Sequence, residues 1–183
     1  GLVDDLLLLT RLDTQRPLKR GPVDLTVLAA DAVQDARALD PTRQVKLVGV
    51  SGDIEPTMVT GDEARLRQVV TNLVGNAVNH TPAATGIEIA VGYGEPGRTR
   101  LEVRDHGGGV DPVQARKVFE RFYRADPGRG RGNGGGNGLG LAIVAAIVHA
   151  HQGQVGVAAT PGGGATFVVE IPTANSQPES RLV

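Results

Sequence analysis

Between Asp24 and Ile171 the chain changes its hydrophobic period again and again, and that alternation limits the folds open to it. Leu25, Leu28, Ala29, Ala32, Val33 and Ala36 recur at helical spacing behind Asp24, a suitable N-cap, and predict a helix to about Leu39. QVKLVGV and IEPTMVT follow with β-branched character and read as two strands joined by the turn SGD. Helical spacing returns in GDEARLRQVVTNLVGNAVNHTP, where Leu66, Val69, Val70, Leu73, Val74 and Ala77 form the buried stripe and Pro82 ends it. IEIAVGY and TRLEVRD read as a hairpin around EPG, and Asp111 with Pro112 opens a helix expected to run to about Arg124. GLGLAIVAAIVHAHQ is the last helix, and QVGVAAT and ATFVVEI close the chain as a hairpin around PGGG. Helices interleaved with strand pairs predict an α/β fold: a two-layer sandwich of one mixed sheet covered on one face by three helices.

The ends of the chain read differently. GLVDDLLLLTRLD, residues 1–13, places leucines at 2, 6, 9 and 12 on one helical face, and TQRPLKRGPV breaks that pattern with two prolines and a glycine. Residues 14–22 are therefore expected to be a linker, 23–173 the main domain and 174–183 a tail. Opening on Gly1, the chain reads as a piece of a longer protein. DPGRGRGNGGGN, residues 126–137, has no apolar residue with which to enter a core and is expected to be a loop.

Composition removes several functions. A net charge of −1 and 3% aromatic residues leave neither a basic footprint nor a stacking platform for nucleic acid. The absence of cysteine rules out disulfides, thiolate metal sites and thiol nucleophiles. The longest apolar run, Leu139 to Val148 broken only by Gly140, is too short to span a bilayer.

Three polar features remain to be explained. Asn72, Asn76 and Asn79 stand at i, i+4 and i+7, one face of the second helix, and cost about 1 to 2 kcal/mol of helix propensity against alanine. That face is either simply solvated or built to offer amide oxygens to a hard cation and amide nitrogens to phosphate. Asp105 ends a strand before three glycines in DHGGG; this is either a capped tight turn or a carboxylate kept open for an exocyclic amine, with Gly107 and Gly109 letting backbone approach a flat ligand. GGNGLGLAIV runs from glycines directly into a helix, either a plain loop end or a phosphate seat. No lysine follows a glycine, so the P-loop pattern is absent, and GRGNGG at 130–135 lacks the strand and helix that a dinucleotide fingerprint needs.

Taken together, Asn76, the D-x-G-x-G at Asp105, FERFYR at 119–124 and GNGLGL at 136–141 resemble, in order and spacing, the ATP-binding domain of sensor histidine kinases over residues 24–172. The resemblance implies that Asn76 coordinates Mg²⁺, with Asn72 its partner one turn earlier, and that Asp105 binds the adenine amine in a pocket shaped by Gly107 and Gly109. It implies that Gly138, Leu139 and Gly140 approach the phosphates, and that residues 125–137 form an ATP lid. Asn79 stands where the family usually has lysine or arginine, so one phosphate contact is expected either to be weaker or to come from elsewhere, from Arg121 or Arg124. Ala165 stands where a threonine often precedes the TF pair, leaving Thr166 as the candidate adenine contact. Asn72 occupies the position at which hydrolysing relatives of this fold hold a glutamate base, which favours a kinase over an ATPase.

By the same resemblance, residues 1–13 look like the end of the dimerisation helix hairpin. The expected partners are the protein's own phosphoacceptor and dimerisation domain and the receiver domain of a response regulator, with a cytoplasmic placement in a membrane-bound, homodimeric parent. His80, His106, His149 and His151 lack the context of a phosphoacceptor, and each is expected to be structural. An anti-sigma-type serine kinase or ATPase of this fold, and a non-catalytic nucleotide-binding module, are the alternatives.

Overall fold

A computed structural model describes residues 3, 5, 18–115, 117–123 and 138–174 of the 183. Most of the leading helix expected over 1–13, residues 14–17 of the expected linker, Arg124, the loop 125–137 and the tail from residue 175 lie outside them. The element order is β1 (Gly21–Asp24), α1 (Leu25–Leu39), β2 (Val45–Gly49), β3 (Met58–Gly61), α2 (Glu63–His80), β4 (Ile87–Tyr93), β5 (Arg98–Asp105), α3 (Pro112–Ala115), α4 (Gly140–Ala150), β6 (Gln154–Ala159) and β7 (Ala165–Pro172).

The helices begin and end where local chemistry asks. Asp24 caps α1 by accepting from the Thr26 amide at 2.9 Å, and Asp62 caps α2 by accepting from Arg65 at 3.2 Å. α2 stops at Thr81, whose extended backbone (φ −121°, ψ 150°) is the one a following proline favours. Its buried residues are the six of the expected stripe, Leu66 through Ala77.

Five strands form one mixed sheet in the order β2-β4-β5-β7-β6, parallel between β2 and β4 and antiparallel elsewhere. The register aligns Leu47, Ile89, Val103, Phe167 and Val157 in a single row, and α1, α2 and α4 pack against that side. The expected two-layer sandwich is therefore the observed one.

Three expectations change. The segments around SGD are not a pair: β2 joins the large sheet, while β3 pairs with β1 in a separate two-stranded sheet, Val23 opposite Val59. β1 itself draws Gly21 and Pro22, read as linker, into a strand, because Pro22 needs no ladder amide at an edge. The helix expected from Pro112 to about Arg124 is only Pro112–Ala115. Residues 117–123 instead wind in tight turns, Glu120 bonding back to Lys117 and Tyr123 to Glu120. Phe122 adopts a φ of 61°, and its amide donates to Gly138 O at 3.0 Å, a partner outside any helical ladder.

Candidate functional site

The carboxylate that closes β5 is buried. Asp105 is 5% exposed on the helix-covered side of the sheet, and its Oδ1 accepts from the Gly107 amide at 2.9 Å and from the Ala165 amide at 3.3 Å. Oδ2 has no hydrogen-bond partner among the described residues, so it keeps its accepting capacity for another donor.

Glycine lets three backbones meet around this group. Gly164, at φ 105°, lies so close that a Cβ there would fall 1.9 Å from Asp105 O. Gly109, at φ 76°, would drive a Cβ to 3.1 Å from Gly164 O, and Gly107 would drive one to 2.8 Å from Thr81 Cγ2. The glycines of DHGGG thus seat the loop between the β6–β7 turn and the end of α2, a packing reason added to the ligand reason read from sequence.

α2 supplies the neighbouring wall. Asn72 and Asn76 are half-buried and Asn79 is exposed on its last turn. Asn72 Nδ2 donates to Gly140 O at 3.1 Å, which ties α2 to the start of α4. Asn76 makes no hydrogen bond among the described residues. Gly138, at φ 68°, sits where a Cβ would strike Tyr123 O at 2.9 Å, so the FERFYR turn is locked onto the residue two before α4. Leu139 is 1% exposed, caps α4 without a side-chain bond and leaves the first-turn amides to other acceptors. Gly140 faces open space. Phe119 anchors this segment in the core by an edge-on contact with Phe167, ring centroids 6.3 Å apart, while Arg121 is exposed. Arg124 lies outside the described residues.

Thr166 is not part of this group. It pairs with Arg104 across the sheet, one residue off the row that faces the helices, so its side chain lies on the far side from Asp105. There its hydroxyl meets that of Thr160 at 2.9 Å. The residue of β7 beside Asp105 is Ala165, through its backbone amide.

Two buried side chains, His151 and Arg43, support this region from outside it. His151 is 3% exposed; its Nε2 accepts from the Asp62 amide at 3.0 Å and its Nδ1 lies 2.7 Å from Ile147 O, which together require the neutral ring with the proton on Nδ1. Burial pushes its pKa below 6.5. The structural role expected for this histidine is thereby given its partner. Arg43, 6% exposed, holds Thr81 at the end of α2. Neither had a sequence signal, because each acts across many residues on a backbone group.

Comparison with known proteins identifies the family of the chain. The probable sensor histidine kinase TcrY of Mycobacterium tuberculosis is 47% identical over 179 residues, covering 97% of this chain and 36% of its own length. The signal transduction histidine-protein kinase BaeS of Escherichia coli is 38% identical over 172 residues, covering 93% of this chain and 36% of its own. The chain spans about a third of the length of the curated relatives it matches. Among solved structures, full-length ShkA in complex with AMPPNP superposes with a TM-score of 0.77 at 33% identity, over 97% of this chain and 36% of that one. Mycobacterial sensor histidine kinase MprB superposes with a TM-score of 0.71 at 28% identity, over 84% of this chain and 97% of that one. The family model described as histidine kinase-, DNA gyrase B-, and HSP90-like ATPase matches residues 61–175, from the end of β3 past the end of β7, and this chain belongs to that family, alongside its sensor histidine kinases.

Proposed function

We propose that this chain is the Mg²⁺-ATP-binding catalytic domain of a two-component sensor histidine kinase. It would pass the γ-phosphoryl of ATP to a histidine on a phosphoacceptor and dimerisation domain outside residues 1–183, for relay to the receiver domain of a response regulator. The observation that carries the reading is the convergence of a buried carboxylate with one open oxygen, Asp105, and an α2 face on which the Asn76 amide makes no hydrogen bond among the described residues while Asn72 ties the helix to the start of α4.

Asp105 Oδ2 can accept from the exocyclic amine of adenine, a donor that guanine lacks at that position. Gly107 and Gly109 line the approach. The first-turn amides of α4, with Gly138, Leu139 and Gly140, offer donors and a dipole to phosphate oxygens. Arg121, exposed on the turn that meets Gly138, would add charge near that end, and Arg124 and residues 125–137, which lie outside the described residues, would supply a further phosphate contact and the lid. Asn79, exposed and uncharged, is the weaker phosphate contact.

The donor set fits a magnesium ion: the Asn76 amide oxygen is a hard ligand with no competing partner among the described residues, and Mg²⁺ takes one or two protein oxygens together with phosphate. When bound, that ion would neutralise charge on the phosphates. Asn72 gives its amide nitrogen to Gly140 and has no basicity with which to activate water. A histidine nitrogen then attacks phosphorus as the bond to the β-phosphate oxygen breaks and ADP leaves, with positioning and charge stabilisation rather than a protein base as the source of rate. The parent of such a domain would be membrane-bound and homodimeric.

Calorimetric titration with a non-hydrolysable ATP analogue, with and without Mg²⁺ at matched ionic strength, tests this. One saturable Mg²⁺-dependent site is expected, and Asn76→Ala should abolish the Mg²⁺ dependence; unchanged Mg²⁺ dependence removes Asn76 as the ligand. Binding without phosphotransfer to a supplied histidine-bearing dimerisation domain would turn the reading toward a non-catalytic regulatory module.

A further inference from the structure

Thr81, the residue that ends α2, is held from behind. Arg43 reaches it from the loop between α1 and β2, Nη1 donating to Thr81 Oγ1 at 2.7 Å and Nη2 to Thr81 O at 3.3 Å. Its Nε donates to Asp40 Oδ2 at 3.3 Å. Asp40 is fixed in turn, its Oδ1 accepting from the Thr42 hydroxyl at 2.6 Å and the Thr42 amide at 3.2 Å. The Thr42 hydroxyl first, and Arg43 after it, hold the Asp40 carboxyl below its ordinary pKa against the opposing effect of desolvation, so the acid stays available to the guanidinium. Thr81 passes the connection on, its hydroxyl donating to Ala77 O at 2.6 Å. A cation at a helix C-terminus is also favoured by the helix dipole.

On its other side Thr81 turns its methyl to the loop that follows Asp105. The position of a Cβ on Gly107 lies 2.8 Å from Thr81 Cγ2, so the loop rests on that methyl, and the Gly107 amide is the one that donates to Asp105 Oδ1. The contacts run in series from guanidinium to threonine to glycine to carboxylate. Asn76 and Asn79 lie within the last five residues of the helix that this series terminates.

We infer that Arg43 is a positioning residue for the nucleotide pocket: through Thr81 it sets the Gly107–Asp105 loop against the end of α2, and so fixes the adenine side of the pocket relative to the amide face. The inference rests on the reading of Asp105 as the adenine contact. Arginine suits the task because its planar fork reaches the hydroxyl and the carbonyl of one residue while Nε stays on Asp40; a lysine ammonium is a single point and cannot hold all three.

The test compares Arg43→Met, Arg43→Lys and Thr81→Val with the unaltered chain. Affinities for ATP and GTP are measured by calorimetry, with and without Mg²⁺, well below the melting midpoint of the weakest variant. Arg43→Met should lower ATP affinity about tenfold, the scale on which loss of a support behind a ligand-contacting group is felt. It should also narrow the preference for ATP over GTP while leaving the Mg²⁺ enhancement ratio unchanged, because Asn76 keeps its place. Arg43→Lys should fall between, and Arg43→Met combined with Thr81→Val should be no worse than Arg43→Met alone, as expected for links in one series. A folded Arg43→Met with native affinity and native base preference overturns the inference, whatever its melting point. Should that variant fail to fold, native behaviour in both Arg43→Lys and Thr81→Val overturns it equally. If the unaltered chain binds no ATP, the reading of the site fails and the inference with it, whereas binding that is indifferent to Arg43 removes only the inference.

Discussion

The row Leu47, Ile89, Val103, Phe167 and Val157 crosses the five-stranded sheet one residue away from the row Lys46, Glu88, Arg104, Thr166 and Ala158. The apolar row lies under three helices and contains no polar atom in its side chains. The polar row points away from the helices, to the side where Arg104 reaches Glu88 at 3.7 Å and Glu102 at 2.6 Å, and Arg100 reaches Glu170 at 3.2 Å. Among the described residues of the five strands, the one carboxylate on the helix side is Asp105, at the strand end with two backbone amides on it. A charge is tolerated on that side only where backbone donors replace water, and such a place is suited to recognising a polar ligand.

The largest test of the contrast is a pair of substitutions. Phe167→Ala, which removes a 3% exposed ring and its contact with Phe119, should cost about 3 to 5 kcal/mol in chemical denaturation. Glu102→Gln, on the other side, should cost about 1 to 2 kcal/mol and less at high salt, because its two arginine partners are 35% and 26% exposed and can return to water. Equal costs would mean that the outer ion pairs are as integral as the core.

A change of pH tests the exclusion of charge from the helix side. His151 is buried and neutral, and its folded pKa lies below the 6.5 of the unfolded chain. The folded state therefore binds fewer protons, and the stability that His151 contributes is fully present above pH 6.5 and lost as pH falls below it. Denaturation midpoints should drop on going from neutral to mildly acidic pH with a slope of at most about 1.4 kcal/mol per pH unit from this group. His151→Gln should flatten that slope; an unaltered slope would assign it to other groups.

The smallest effect separates adjacent residues of one strand. Thr166→Ala should cost about 1 kcal/mol through loss of the hydroxyl pair with Thr160 and leave ATP affinity unchanged. Ala165→Thr, which adds a hydroxyl beside Asp105, should change ATP affinity severalfold, and titration of both variants compares them. The reverse pattern would place the nucleotide on the other side of β7.

Local features were legible wherever the interaction that decides them is local. Asp24 caps α1 through an amide two residues on, Pro82 ends α2 by its own geometry, and the apolar stripes of α1 and α2 are the buried ones. The short α3 was not legible, because what redirects residues 117–123 is Gly138, far along the chain. Nor was the side of the sheet on which Thr166 lies, since register against β5 sets it and one residue reverses it.

By itself, then, the sequence determined the period of each element, its caps and the residue types brought to the site, because propensity, periodicity and capping depend on neighbours within a few positions. Tertiary structure decided which of those residues meet: Ala165 rather than Thr166 beside Asp105, Asn72 on Gly140, His151 on the Asp62 amide, and Arg43 behind Thr81. Each of these joins positions between 38 and 89 residues apart, or turns on strand register, and contacts of that range are set by how layers pack, which no local window contains.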